Sequence, residues 1–133
     1  MRALFYAEQD YCYAILRPLQ GEILRRGGAV RWLLVGKEID AGYLADSEIA
    51  LASVSEARRW QPDAVFVPGN TVSRAIPGLK VEVFHGFAAG KTYNGSEDAH
   101  FAIRPCFDLY CTHGPANSER FRQLADEYGY FEV

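Results

Sequence analysis

Two of the three histidines share one local setting. His85 follows the apolar run 81–84 and is followed at once by Gly86; His113 follows the run 107–112 and is followed by Gly114. An imidazole has an unperturbed pKa of ~6.5, so it can take up or release a proton near neutral pH. A glycine beside it lets the backbone approach a ligand with no Cβ in the way. The pattern makes His85 with Gly86, and His113 with Gly114, candidate site residues. For either histidine the alternative is a side chain hydrogen-bonded to nearby backbone. His100 lies in irregular sequence and is assigned to structure or solvent.

The segment Gly86-Phe87-Ala88-Ala89-Gly90-Lys91-Thr92 is similar in composition to a phosphate-binding loop. That motif needs four residues between its glycines and a helix directly after Lys-Thr. Here three residues intervene, and Tyr93-Asn94-Gly95-Ser96 is turn chemistry. An ATPase reading fails on both counts. Lys91 can still neutralise a phosphate as a point charge, and its alternative is a solvated loop lysine.

These groups need a scaffold, and the sequence describes one. Residues 2–7, 30–35, 64–67, 81–84 and 107–112 are short apolar runs, with a weaker one at 48–52. Residues 11–26 carry Ile15, Leu19 and Ile23 on one helical face, with Asp10 as N-cap, Gly27-Gly28 as stop and Pro18 as a kink or a late start. Ser53-Val54-Ser55-Glu56 matches a capping box and predicts a helix to about Trp60, ended by Gln61-Pro62-Asp63. A short helix is expected over 71–75. Phe121, Leu124, Ala125 and Tyr128 mark a last helix that starts at Pro115 or Asn117 and stops at Gly129. Residues 36–43 and 87–104 read as loops, and 130–133 as the opening of a further strand.

Continuous apolar strands alternating with helices imply an open α/β parallel sheet covered on both faces, Rossmann-like in type. Ligands of such sheets bind beyond the carboxyl ends of the strands. Those ends carry Glu8-Gln9-Asp10, Gly36-Lys37, Pro68-Gly69-Asn70-Thr71, His85-Gly86 and Thr112-His113-Gly114. Asn70 and Thr71 therefore join the substrate-binding candidates. Glu8-Gln9-Asp10-Tyr11-Cys12 has no glycine, which argues against a dinucleotide-binding first turn.

Composition narrows the function further. The chain has 133 residues, the length of one domain (1–133), and 14 basic against 17 acidic side chains give a net charge of −3. Such a balance, without a basic block, disfavours nucleic acid as a partner. Three cysteines without a CxxC pair suit free thiols better than a disulfide framework, and they announce no metal site. No run approaches the ~18 apolar residues of a membrane helix, and the first residues lack the pattern of a signal peptide. No cofactor is implied.

The strings Val83-Phe84-His85-Gly86-Phe87-Ala88-Ala89-Gly90-Lys91 and Phe107-Asp108-Leu109-Tyr110-Cys111-Thr112-His113-Gly114 resemble the CDP-glycerol glycerophosphotransferase family, the teichoic-acid-type polymerases and primases. The resemblance covers roughly the second half of the chain. It implies a transferase of two glycosyltransferase-B-like domains, of which this chain would be the N-terminal, acceptor-side one. The CDP-linked polyol donor would be held by the other domain, so this chain alone is expected to be inactive. It further implies a polyol-phosphate or glycan acceptor, lipid-linked in some members, and a cytoplasmic location at the inner face of the membrane. The histidine of the family's His-Gly motif, a general base toward the acceptor hydroxyl, maps onto His85. Many members have a lysine five residues after that histidine, whereas Lys91 is six after His85. A chain that stops as a strand opens suits a piece of something longer. Two other readings stay open. One is a stand-alone α/β binding or regulatory module without catalysis. The other is a related sugar-nucleotide enzyme, a glycosyltransferase or an epimerase.

Overall fold

The computed structural model describes residues 1–83 and 103–129. In chain order they form β1 (Arg2–Gln9), α1 (Tyr11–Arg25), β2 (Ala29–Glu38), a 3-10 turn (Ala41–Tyr43), α2 (Val54–Trp60), β3 (Ala64–Val67), β4 (Leu79–Val83), β5 (Leu109–Cys111) and α3 (Pro115–Tyr128). The five strands make one sheet in the order β2-β1-β3-β4-β5, and every pairing is parallel. This is the Rossmann-like open α/β sheet expected from the sequence.

Side-chain alternation divides the core between the two faces. Ala3, Phe5 and Ala7 of β1 point to one face, where they meet Cys12, Tyr13, Leu16 and Ile23 of α1 and Trp32 of β2. Phe5 meets Trp32 edge-on, with ring centroids 5.0 Å apart. Leu4 and Tyr6 point to the other face, with Leu33, Val65 and Val67, under Ala57 of α2. The ring of Phe121 in α3 lies against Tyr110 of β5, 5.3 Å between centroids, and Tyr110 packs on this second cluster. Helices therefore cover both faces.

Several elements depart from the sequence reading, each for a local reason. Asp10 does not cap α1: it is itself in the helical region, and its carboxylate accepts the Asp40 N–H at 2.7 Å instead. The helix runs through Pro18 without interruption. Pro18 is exposed, so packing of the opposite face against the sheet outweighs the missing hydrogen bond. β2 continues past Val35 because Gly36 adopts φ +89°, which only glycine takes readily, and the strand bulges there. Across the bulge the register passes from Ala7–Leu34 to Gln9–Glu38. The weak strand at 48–52 reduces to one parallel bridge between Trp32 and Ala50. In place of a helix at 71–75 there is a turn, in which the Ser73 hydroxyl accepts the Ala75 N–H. α2 is capped by Ser53, whose hydroxyl accepts the Glu56 N–H, but Glu56 reaches back to the Ala52 N–H rather than to that of Ser53.

A polar clamp ties the segment after β2 to α1. Arg17 grips Glu48 through two hydrogen bonds, of 3.0 and 2.9 Å, while Gln20 and the Ala45 N–H donate to the same carboxylate. Gln20 in turn accepts from the indole N–H of Trp32 at 2.8 Å. These bonds hold the Glu48 carboxyl down at about 2. None of the described helices is long and apolar enough to cross a membrane.

Candidate functional site at the carboxyl edge of the sheet

Because β1 connects to β2 on one side while β3 lies on the other, the sheet changes direction between β1 and β3. The crevice beyond their carboxyl ends is the expected ligand position in a sheet of this kind. β1 supplies Glu8, Gln9 and Asp10; the turn after β3 supplies Gly69, Asn70 and Thr71. Asn70 and Thr71, both exposed, thus stand where the sequence reading placed them.

Glu8 is the half-buried carboxylate at the end of β1. Partial burial raises its pKa above the ordinary carboxylate value, and the neighbouring Thr71 side chain opposes that rise. The carboxylate lies so close over Gly69 that a Cβ on that residue would come within 2.4 Å of Oε2. The Tyr6 hydroxyl, on the same face of β1, is raised by burial and by the nearby Glu8 charge. The neighbouring acids each accept an internal hydrogen bond. Asp10 accepts from the Asp40 backbone, Glu38 accepts from Gln9 Nε2 at 2.6 Å, and Asp40 accepts the Gly42 N–H at 2.8 Å.

The second part of the edge lies beyond β5. His113 is exposed, two residues after Cys111, and leads through Gly114 into α3. Thr112 and Ser118 hydroxyls meet at 2.6 Å and close the turn into the helix. β4 separates β3 from β5, so the strand ends that lead to Asn70–Thr71 and to His113 are two strand spacings apart, roughly 10 Å. His85, Gly86 and Lys91 fall outside the described residues, as does His100.

A charged residue inside β4 was not singled out from the sequence. Glu82 points to the α2 face and is 2 % exposed, with the Arg104 guanidinium 3.8 Å away and Oε2 without a hydrogen bond. Burial lifts its carboxyl to about 7, against the opposing pull of Arg104. The Tyr110 hydroxyl fixes the Arg104 backbone beside it, accepting the N–H at 2.7 Å and donating to the carbonyl. An acid within Leu-Lys-Val-Glu-Val was the available signal, since a strand covered on both faces has no cheap place for a charge. Glu8 was signalled only as part of a strand end, because its nearness to Gly69 depends on the strand order. Among the described residues, no three His, Cys, Asp or Glu side chains are grouped as metal ligands.

Comparison of the chain with protein-family models, with curated proteins and with solved structures yields no match.

Proposed function

We propose that this chain is the acceptor-side domain of a transferase that moves glycerol phosphate, or a related polyol phosphate, from a CDP-linked donor to a hydroxyl group of a cell-envelope polymer. One observation carries the reading. Val83 of β4 and Cys111 of β5 are register partners in adjacent parallel strands. His85 follows Val83 by two residues, as His113 follows Cys111. Strands β4 and β5, each followed two residues on in the sequence by a His-Gly pair, thus end in matched register at the carboxyl edge of the sheet, the edge where such folds hold ligands.

In the proposed reaction His85 accepts the proton of an acceptor hydroxyl. The freed oxygen attacks the β-phosphorus of CDP-glycerol, the bond from that phosphorus to the bridging oxygen breaks, and CMP leaves with the bonding electrons. Asn70, Thr71 and His113 supply hydrogen bonds to the acceptor, and Lys91 supplies positive charge. General-base assistance of this kind contributes roughly 10²–10⁴-fold, with the remainder coming from positioning and from charge stabilisation in the nucleotide-binding domain.

The test is CMP release from CDP-glycerol in the presence of a glycerol-phosphate primer, measured on the protein that carries both domains. His85→Ala lowers turnover by roughly 10²–10⁴-fold with the melting temperature unchanged. A destabilised but fully active variant overturns the base assignment. The isolated chain releases no CMP above a control without protein, and robust release from it overturns the division of labour between domains.

A further inference from the structure

We propose that Glu82 and Arg104 form a proton-dependent tie between β4 and the segment that leads into β5: loss of the Glu82 proton to solvent draws the Arg104 guanidinium inward, and return of the proton releases it. The inference stands apart from the transferase reading.

The buried end of Glu82 is incompletely satisfied. The residue lies in register between Val67 of β3 and Tyr110 of β5 and is 2 % exposed. Arg104 Nη1 stands 3.8 Å from Oε1, beyond hydrogen-bond distance, and Oε2 has no hydrogen-bond partner among the described residues. A neutral carboxyl here leaves one polar atom unsatisfied; an ionised one adds a buried charge, which costs far more. Arg104 is the group that can offset that charge. Its side chain is 26 % exposed, so it has solvent on one side and Glu82 on the other. A shift of about 1 Å brings Nη1 to the ~2.8 Å of a charge-assisted hydrogen bond, and the guanidinium fork can serve both carboxylate oxygens.

The backbone around Arg104 is anchored, which confines the movement to the side chain. The Tyr110 hydroxyl accepts the Arg104 N–H at 2.7 Å and donates to its carbonyl at 3.0 Å, and the Phe107 N–H donates to the same carbonyl at 3.1 Å. Asp108 is bound to the Lys80 backbone in both directions, its carboxylate accepting the Lys80 N–H at 2.8 Å and its own N–H donating to the Lys80 carbonyl at 2.9 Å. The segment is thus moored to the start of β4, and Glu82 supplies a second mooring near the end of that strand.

The other titratable and charged groups on this face leave Arg104 as the charge that acts on Glu82. Tyr110 is occupied with the Arg104 backbone, and Cys106 lies beside Tyr110. Lys80 donates to the Gly78 carbonyl, and Arg122 of α3 is paired with Glu119. Tyr6 and Glu8 stand two strands away on β1, and α2 and α3 turn the apolar Ala57 and Phe121 to this cluster. Burial lifts the Glu82 carboxyl to about 7 against the pull of Arg104, which puts the change near neutral pH.

NMR of the labelled wild-type chain and of Glu82→Gln, at about pH 5.5 and about pH 8, tests the tie. The Glu82 carboxyl carbon should titrate with a midpoint of about 7. Across that midpoint the protection of the Arg104 Nε–H from hydrogen exchange, relative to free arginine at the same pH, should rise about tenfold. In Glu82→Gln, which keeps the shape of the neutral form, protection should be the same at both pH values. Arg104→Gln should raise the Glu82 midpoint by about one unit or more, a tenfold gain in proton affinity. Equal protection on both sides of the midpoint in the wild type overturns the proposal, because the guanidinium then ignores the charge. So does a rise that persists in Glu82→Gln, an unchanged midpoint in Arg104→Gln, or a carboxyl that titrates at the ordinary 4.5. If a variant does not fold, the two wild-type measurements decide alone.

Discussion

Replacing Glu48 by glutamine should remove one of the strongest single polar contributions to this fold. The Glu48 side chain is 3 % exposed, and its folded pKa of about 2 lies well below the ordinary 4.5. A shift of that size corresponds to about 3 kcal/mol at 1.36 kcal/mol per unit, and the 40 % exposure of Arg17 lets solvent screening reduce it to about 2–3 kcal/mol. A depressed carboxyl stabilises the fold fully above its unfolded pKa and ceases to do so as pH falls through the folded value. The wild type should therefore exceed Glu48→Gln by about 2–3 kcal/mol at pH 7, equivalent to about 7–10 °C in melting temperature for a chain of this length. The gap should narrow steadily as the pH falls from about 4.5 toward 2. Urea unfolding followed by circular dichroism at a series of pH values measures it. A gap below about 0.5 kcal/mol at pH 7, within the ordinary range for surface substitutions, would refute the reasoning. So would a gap that is equally large at pH 7 and pH 2.

Two further changes have equally definite signs. Glu82 is raised to about 7, so the folded chain holds its proton over a pH range where the unfolded chain has lost it, and stability falls as pH rises from about 4.5 to 7. Glu82→Gln should abolish that decline and be more stable than wild type at pH 8 by about 1–3 kcal/mol, as read by thermal melts across that range. Gly78→Ala should destabilise by at least about 2 kcal/mol in urea unfolding, because the residue sits at φ +92° and a Cβ there would come within 2.4 Å of the Pro62 carbonyl oxygen. A melting temperature equal to wild type would contradict that packing.

How far the fold could be read from sequence depended on whether a signal was local. The last helix was legible because Phe121, Leu124 and Ala125 keep helical spacing and are buried, and because Gly129 ends it at φ +66°. The Ser53 cap was legible because its partner is three residues away. Asp10 was misread because its carboxylate is drawn to a backbone N–H thirty residues distant, which no local pattern shows. The turn at 71–75 was misread because one helical turn cannot offset its nucleation cost, while the Ser73 hydroxyl offers the backbone another partner. The site divided in the same way. Asn70, Thr71 and His113 became candidates by the rule that ligands lie beyond strand ends. The closeness of Glu8 to Gly69 emerged only from the adjacency of β1 and β3. Glu82 was hidden by its apolar neighbours, and the same neighbours are what push its carboxyl toward neutrality.

Amide shifts of the ¹⁵N-labelled chain on titration with glycerol 3-phosphate locate the acceptor site proposed for the carboxyl edge of the sheet. Saturable shifts are expected at Gly69, Thr71 and Gly114, with Gly28, Asp63 and Gly78 at the opposite edge unmoved. Saturable shifts confined to that opposite edge, or none up to the solubility of the ligand, would contradict it.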